Sequence, residues 1–145
     1  MAGRARRAGS TSGGFFVKER LFLQIAVAIA GLVPLTAGAL GVMNPAMLGL
    51  YGDRAGITHA AYLSGLLLGI GLAYWSLIPD IEKRGGAFTL LTAIVQAGGL
   101  ARLAMAFRLG TWDLSIALPL LMELVVTPSL WIWQQRLAQA RRREP

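Results

Sequence analysis

Cysteine is absent from this chain of 145 residues, which excludes disulfides, thiolate metal sites and cysteine nucleophiles. Charge is scarce too: 14% of the residues are charged, against about 25% in a typical globular protein. A soluble domain of this size cannot cover its surface with so few charges while 55% of its residues are apolar. Much of its surface therefore faces something other than water, and lipid is the simplest candidate. Histidine occurs once, and the chain shows no Ser/His/Asp arrangement, no paired carboxylates and no phosphate loop. An intramembrane enzyme ranks last among the functions considered.

What is present is long apolar runs. No Asp, Glu, Lys, Arg or His occurs between Arg20 and Asp53, between His59 and Asp80, or between Arg84 and Arg102. Crossing a hydrocarbon core of about 30 Å takes about 20 apolar residues as a helix. The chain is expected to be all-α, an integral membrane bundle of four transmembrane helices over residues 21–42, 58–79, 87–109 and 114–133. Residues 1–16, rich in Arg, Gly and Ser, read as a disordered basic tail. Residues 17–136 read as the transmembrane domain and residues 137–145 as a second basic tail. The first run exceeds the apolar core of about 7–15 residues usual in a signal peptide, so it reads as a span. Asn44-Pro45 and Tyr51-Gly-Asp53 mark the first connection and Gly110-Thr-Trp-Asp113 the third. Pro34, Pro119 and Pro128 are expected to bend their helices.

Eleven of the 14 basic residues fall on one side: Arg4, Arg6, Arg7, Lys18 and Arg20, then Lys83 and Arg84, then Arg136, Arg141, Arg142 and Arg143. Only Arg54 and Arg108 fall on the other, and Arg102 lies within a span. The positive-inside rule then puts both termini in the cytoplasm. This distribution suits basic tails lying on anionic lipid, at about 1 kcal/mol per basic residue, and argues against nucleic acid. Aromatic residues fit as interfacial belts, with Tyr74, Trp75, Trp131 and Trp133 at the inner ends and Tyr51, Tyr62 and Trp112 at the outer ends.

Gly65 and Gly69 form a G-x-x-x-G followed by Gly71. No strand precedes them, so a phosphate role fails its context test, and helix packing is the expectation. Gly98 and Gly99 form a second smooth face, and whether the partner is internal or another subunit stays open. Arg102 and Glu123 each lie inside a span, where a charge costs about 2.5–3.5 kcal/mol on insertion scales. They stand almost equidistant from the turn near residues 112–113, and side chains lean toward the N-terminus of their own helix. The two tips are therefore expected to meet, with Gly98 leaving room and Gln96 adding a polar contact. Such a pair is either a structural device fixing register or a binding site for an anionic headgroup, a quinone-like carbonyl or a proton. His59, at the outer start of the second span, is expected to be an interfacial polar residue. No spacing of the metal-ligand kind surrounds it, so neither metal nor cofactor is expected.

The stretch His59-Ala-Ala-Tyr-Leu-Ser-Gly-Leu-Leu-Leu-Gly69, with Gly98-Gly-Leu-Ala-Arg102 and Glu123, resembles the small bacterial membrane family known as domain of unknown function 4345. This chain departs from the family's pattern at Ala61, where an arginine is usual. The resemblance implies a four-helix membrane protein and supplies no activity. The leading expectation is a non-catalytic accessory subunit that binds a membrane-protein partner or forms a homo-oligomer. The alternative is a binder or carrier of a lipid-like or quinone-like molecule through Arg102 and Glu123.

The absence of native cysteine makes the topology easy to test. Single cysteines at Ser10, Gly85 and Gln139 are expected to resist a membrane-impermeant thiol reagent in intact cells, while one at Gly110 reacts. Labelling at Gly85 or Gln139 from outside would reverse the orientation.

Overall fold

The structure is a computed structural model and describes residues 10–45 and 53–142, with side chains from residue 17 onward. Its elements are helices α1 (Ser10–Met43), α2 (Arg54–Leu77), α3 (Gly85–Leu109), α4 (Leu114–Leu121) and α5 (Thr127–Arg142). A short 3-10 turn, Ile78–Asp80, follows α2, and a π turn, Met122–Val126, joins α4 to α5 into one continuous rod. Among the described residues, four helical segments are therefore long and apolar enough to cross a membrane. No strand occurs among the described residues.

The ends of these helices follow local chemistry. Asp53 caps α2, its Oδ1 accepting from the Gly56 N–H at 2.9 Å, so that helix starts four residues before the expected position. Gly110 ends α3 with φ 65°, a left-handed conformation that glycine adopts without steric cost. Asp113 then caps α4 by accepting from the Ile116 N–H at 3.2 Å. The Ser115 hydroxyl also donates to Asp113, and this bond holds the Asp113 carboxyl below its ordinary range against an opposing desolvation effect, with the backbone N–H groups of Ile116 and Ser115 adding to it. Parts of the two segments expected to be basic tails are helical. Residues 1–9 and 143–145 lie outside the described residues, but residues 10–16 continue α1 and residues 137–142 continue α5. Once a span is anchored, each added residue gains a hydrogen bond without a new nucleation cost. Most of the first connection, residues 46–52 with Tyr51, also lies outside the described residues.

The core lies at the end of the bundle that carries both termini. Leu23 and Val27 of α1, Tyr74 and Leu77 of α2, Ile81 of the loop, Phe88 of α3 and Leu137 of α5 form one buried cluster. Tyr74 was expected at the membrane interface and lies in this core instead. Its ring meets Phe88 edge-on with centroids 5.3 Å apart, and its hydroxyl lies 3.2 Å from Thr92 Oγ1. A tyrosine can be buried in this way when its hydroxyl finds a partner.

Polar side chains fasten the loop beneath this core. Arg20 donates to the Pro79 carbonyl at 2.6 Å, Gln24 to Ile78 at 2.7 Å and Gln134 to Ile81 at 2.8 Å. Glu82, only 6% exposed, stands between Arg20 and Arg141 at 3.3 and 2.5 Å. The Arg141 contact is an aligned hydrogen bond, whereas the Arg20 contact is a charge pairing without hydrogen-bond alignment. One carboxylate thus ties α1 and α5 to the α2–α3 loop.

Away from this end, α1 packs chiefly on α2. The α2 face carrying Gly56, Ala60, Ser64 and Gly71 is buried, and glycines set the approach. A Cβ on Gly38 would stand 2.5 Å from the Leu68 nitrogen, and one on Gly71 2.9 Å from Leu35 Cγ. Gly65 and Gly69 behave differently, since a Cβ on either meets nothing within 4 Å. Gly38→Ala is accordingly expected to destabilise by about 1–3 kcal/mol through overpacking against backbone. Gly65→Ala and Gly69→Ala should be neutral or slightly stabilising, by up to about 1 kcal/mol. Thermal unfolding in detergent, followed by circular dichroism, measures all three, and equal losses at Gly38 and Gly65 would contradict this packing.

Candidate functional site

The fourth span leaves regular α geometry where the sequence places its acid. Pro128 has no N–H, and its ring clashes with the carbonyl four residues earlier in a regular helix. The turn before it widens into π geometry, with the Thr127 N–H and hydroxyl both directed to the Met122 carbonyl. The Glu123 carbonyl consequently loses the Thr127 N–H, and five residues on stands Pro128, which has none to give. Gln96 of α3 supplies the missing donor, its Nε2 lying 2.6 Å from that carbonyl. Gly99 makes the approach possible, because a Cβ there would lie 2.9 Å from Glu123 Cβ and 2.8 Å from a Leu124 methyl.

Held this way, the Glu123 side chain meets Arg102 in a two-pronged pair. Arg102 Nε donates to Oε2 and Nη2 to Oε1, both at 3.1 Å. The carboxylate side chain is 19% exposed and the arginine side chain 45%. Among the described residues Arg102 has no other partner, so its Nη1 protons and the second Nη2 proton are free.

The direction of that free edge follows from helix register. On α3, residues 91, 95, 98, 102 and 105 share one face at spacings of three and four. Leu91 and Val95 pack against the core. One turn further from the termini the same face carries Gly98, where a Cβ would meet nothing within 4 Å, and then Arg102. On α2, residues 77, 74, 70, 67 and 63 form the matching face. Leu77 and Tyr74 are in the core and Ile70 packs on it, while Leu67 and Leu63 are 37% and 46% exposed. The α2–α3 seam is thus closed at the terminal end and open toward the other. At about 1.5 Å per residue outward from the Tyr74–Thr92 contact, Arg102 stands level with Leu63 and Ser64, about 10 Å short of the far end of α3. Beyond α3 no described element packs substantially on α4.

The other residues singled out by sequence lie apart. His59 stands at the far end of α2, its ring 6.5 Å from that of Tyr62. Among the described residues no three His, Asp or Glu side chains converge as metal ligands would. Gly65 and Gly69 face away from α1 and from the seam. Sequence reasoning missed Glu82 and its two arginines. It also missed a groove of about 270 Å³ at the terminal end, lined by residues including Lys83, Thr89, Gln135 and Arg142. Trp131 and Gln135 both donate to Thr89 Oγ1 beside it, at 2.8 and 3.2 Å. No sequence signal marked Glu82, an acid beside Lys83 and Arg84 in a short polar loop.

A family model described as Domain of unknown function (DUF4345) matches residues 22–134. No curated protein and no solved structure matches the chain.

Removing one partner from a buried ion pair costs about 3–5 kcal/mol. Arg102 is half exposed, so Arg102→Leu and Glu123→Leu should each cost less than that in detergent, and the double apolar variant should recover much of the loss. Gln96→Leu should destabilise independently by about 1–3 kcal/mol, since it strands a carbonyl and leaves the ion pair in place. Thermal unfolding of the four variants tests this, and single variants as stable as the wild type would refute the pairing.

Proposed function

The chain belongs to the DUF4345 family, whose description assigns no activity, and from the site alone we propose that it is a non-catalytic membrane protein that binds an amphipathic small molecule in the α2–α3 seam. One observation carries this reading. Two helix faces that form the core at one end continue as an apolar wall and a polar wall at the other, without closing on each other. Leu63, Leu67 and Ile70 supply the apolar wall, and Gly98, Arg102 and Glu123 the polar one. Sites in helical bundles are commonly built between helices in this way, from apolar lining and a few convergent polar groups. Intramembrane charged residues mark functional sites by default.

The membrane setting belongs to the same proposal. Four apolar spans with eleven basic residues on one side suit a multi-pass protein of a bacterial inner membrane, its termini in the cytoplasm. Anionic headgroups would meet Lys18, Lys83 and Arg142 at that end. A second reading, an accessory subunit or homo-oligomer, is favoured by the α2 face of Gly65 and Gly69, where a Cβ on either would meet nothing within 4 Å among the described residues.

Gentle detergent extraction followed by native mass spectrometry separates the two readings. The seam reading expects a small molecule bound to wild type and absent from Leu67→Trp, whose indole fills the opening while the core below is untouched. A stoichiometric protein partner without bound small molecule, retained in Leu67→Trp, would sink the seam reading in favour of the second.

A further inference from the structure

Resting on that seam reading, we infer that the ligand's headgroup is uncharged and offers a carbonyl-type acceptor to Arg102. The first argument is charge balance. Arg102 and Glu123 already neutralise each other through two aligned hydrogen bonds. An anion would leave a net negative charge against the apolar wall of Leu63 and Leu67, where an unpaired charge is costly. A cation would have to compete for carboxylate oxygens that already accept from arginine. A neutral acceptor adds no charge and satisfies the free Nη protons of Arg102, the only unused strong donors on the polar wall.

Depth gives the second argument. Arg102 lies seven residues before the end of α3, about 10 Å along the helix at 1.5 Å per residue. A phospholipid would have to pull its phosphate that far below the interface to reach the guanidinium. Uncharged heads such as a quinone ring or the ester carbonyls of a diacylglycerol reside at that depth without such a cost. Gly98 gives the third argument. A Cβ there meets nothing within 4 Å, so a notch one turn from Arg102 lets a flat carbonyl-bearing group lie against the α3 backbone. The tail then runs along Leu63, Leu67 and Met105, all of them exposed.

The test uses the full-length protein in a neutral detergent with four probes: a short-chain alkyl quinone, dioleoylglycerol, oleate and dioleoylphosphatidylglycerol. Binding is read as a thermal shift and by native mass spectrometry, for wild type, the Arg102→Leu/Glu123→Leu double variant and Gly98→Leu. Gly98→Leu keeps the ion pair and fills the notch, so it reports on the site even if the double variant folds poorly. The expected result is binding of the quinone or the glyceride, at least tenfold tighter than either anionic probe and weakened at least tenfold by Gly98→Leu. Which of the two neutral probes binds identifies the source of the acceptor. Equal or tighter binding of oleate or phosphatidylglycerol, lost in Gly98→Leu, would overturn the neutral headgroup while leaving the seam as the site. Binding unchanged by Gly98→Leu, or no binding of any probe to wild type, would overturn both.

Discussion

Glu82 is the joint on which this bundle depends. Nearly buried at the tip of the α2–α3 loop, it faces Arg20 of α1 and Arg141 of α5, while Arg20, Gln24 and Gln134 hold the Pro79, Ile78 and Ile81 carbonyls just before it. The loop chain is therefore fixed to the first and last helices at once. The apolar cluster of Leu23, Leu77, Ile81, Phe88 and Leu137 sits directly above. Both helical hairpins are joined at this end, and nothing among the described residues joins them so firmly at the other. The open seam is the consequence of one-sided closure. A lone surface ion pair contributes little, but a carboxylate shielded from solvent and shared by two arginines is held far more stiffly.

The second constraint is Pro128. Its missing N–H is a defect in the backbone ladder, and lipid offers no water to repair it. Three residues absorb the defect: Thr127 bonds back to Met122, Gln96 bonds across to Glu123, and Gly99 yields the space. Turns of this π type recur at functional sites, and here the turn carries the one acid of the span. The Gln96 bond fixes the Glu123 backbone independently of its side chain. The helix backbone at this turn is therefore held whether or not the Arg102 pair is made.

The sequence displayed some of this and concealed the rest. The number and order of spans were legible because charges are absent over whole runs. The meeting of Arg102 with Glu123 was legible because both stand about ten residues from one turn. Glu82 was not, since an acid beside Lys83 and Arg84 in a short loop looks like a solvated group, and only the tertiary fold brings Arg20 and Arg141 to it. The glycines divided in a way that spacing alone does not reveal. Gly65 and Gly69 carry the recognisable motif, yet a Cβ on either would meet nothing within 4 Å among the described residues, whereas Gly38, Gly71 and Gly99 set the close helix contacts. Which glycine is used depends on where each helix faces its neighbour, and that orientation comes from the packing at the terminal end.

Lipid changes what an open seam means. In water, exposed Leu63 and Leu67 would drive the hairpins together. Within a bilayer, acyl chains solvate leucine as well as another helix does, and helix association rests on packing and hydrogen bonds. The apolar wall therefore tolerates remaining open. The polar wall does not share that indifference, because the free protons of Arg102 find no acceptor in hydrocarbon. The two walls thus differ in what they gain when the seam is filled: the leucines exchange one apolar neighbour for another, while the guanidinium gains hydrogen bonds. Specificity in such a site resides with the arginine, and the apolar wall sets only how long a tail can follow.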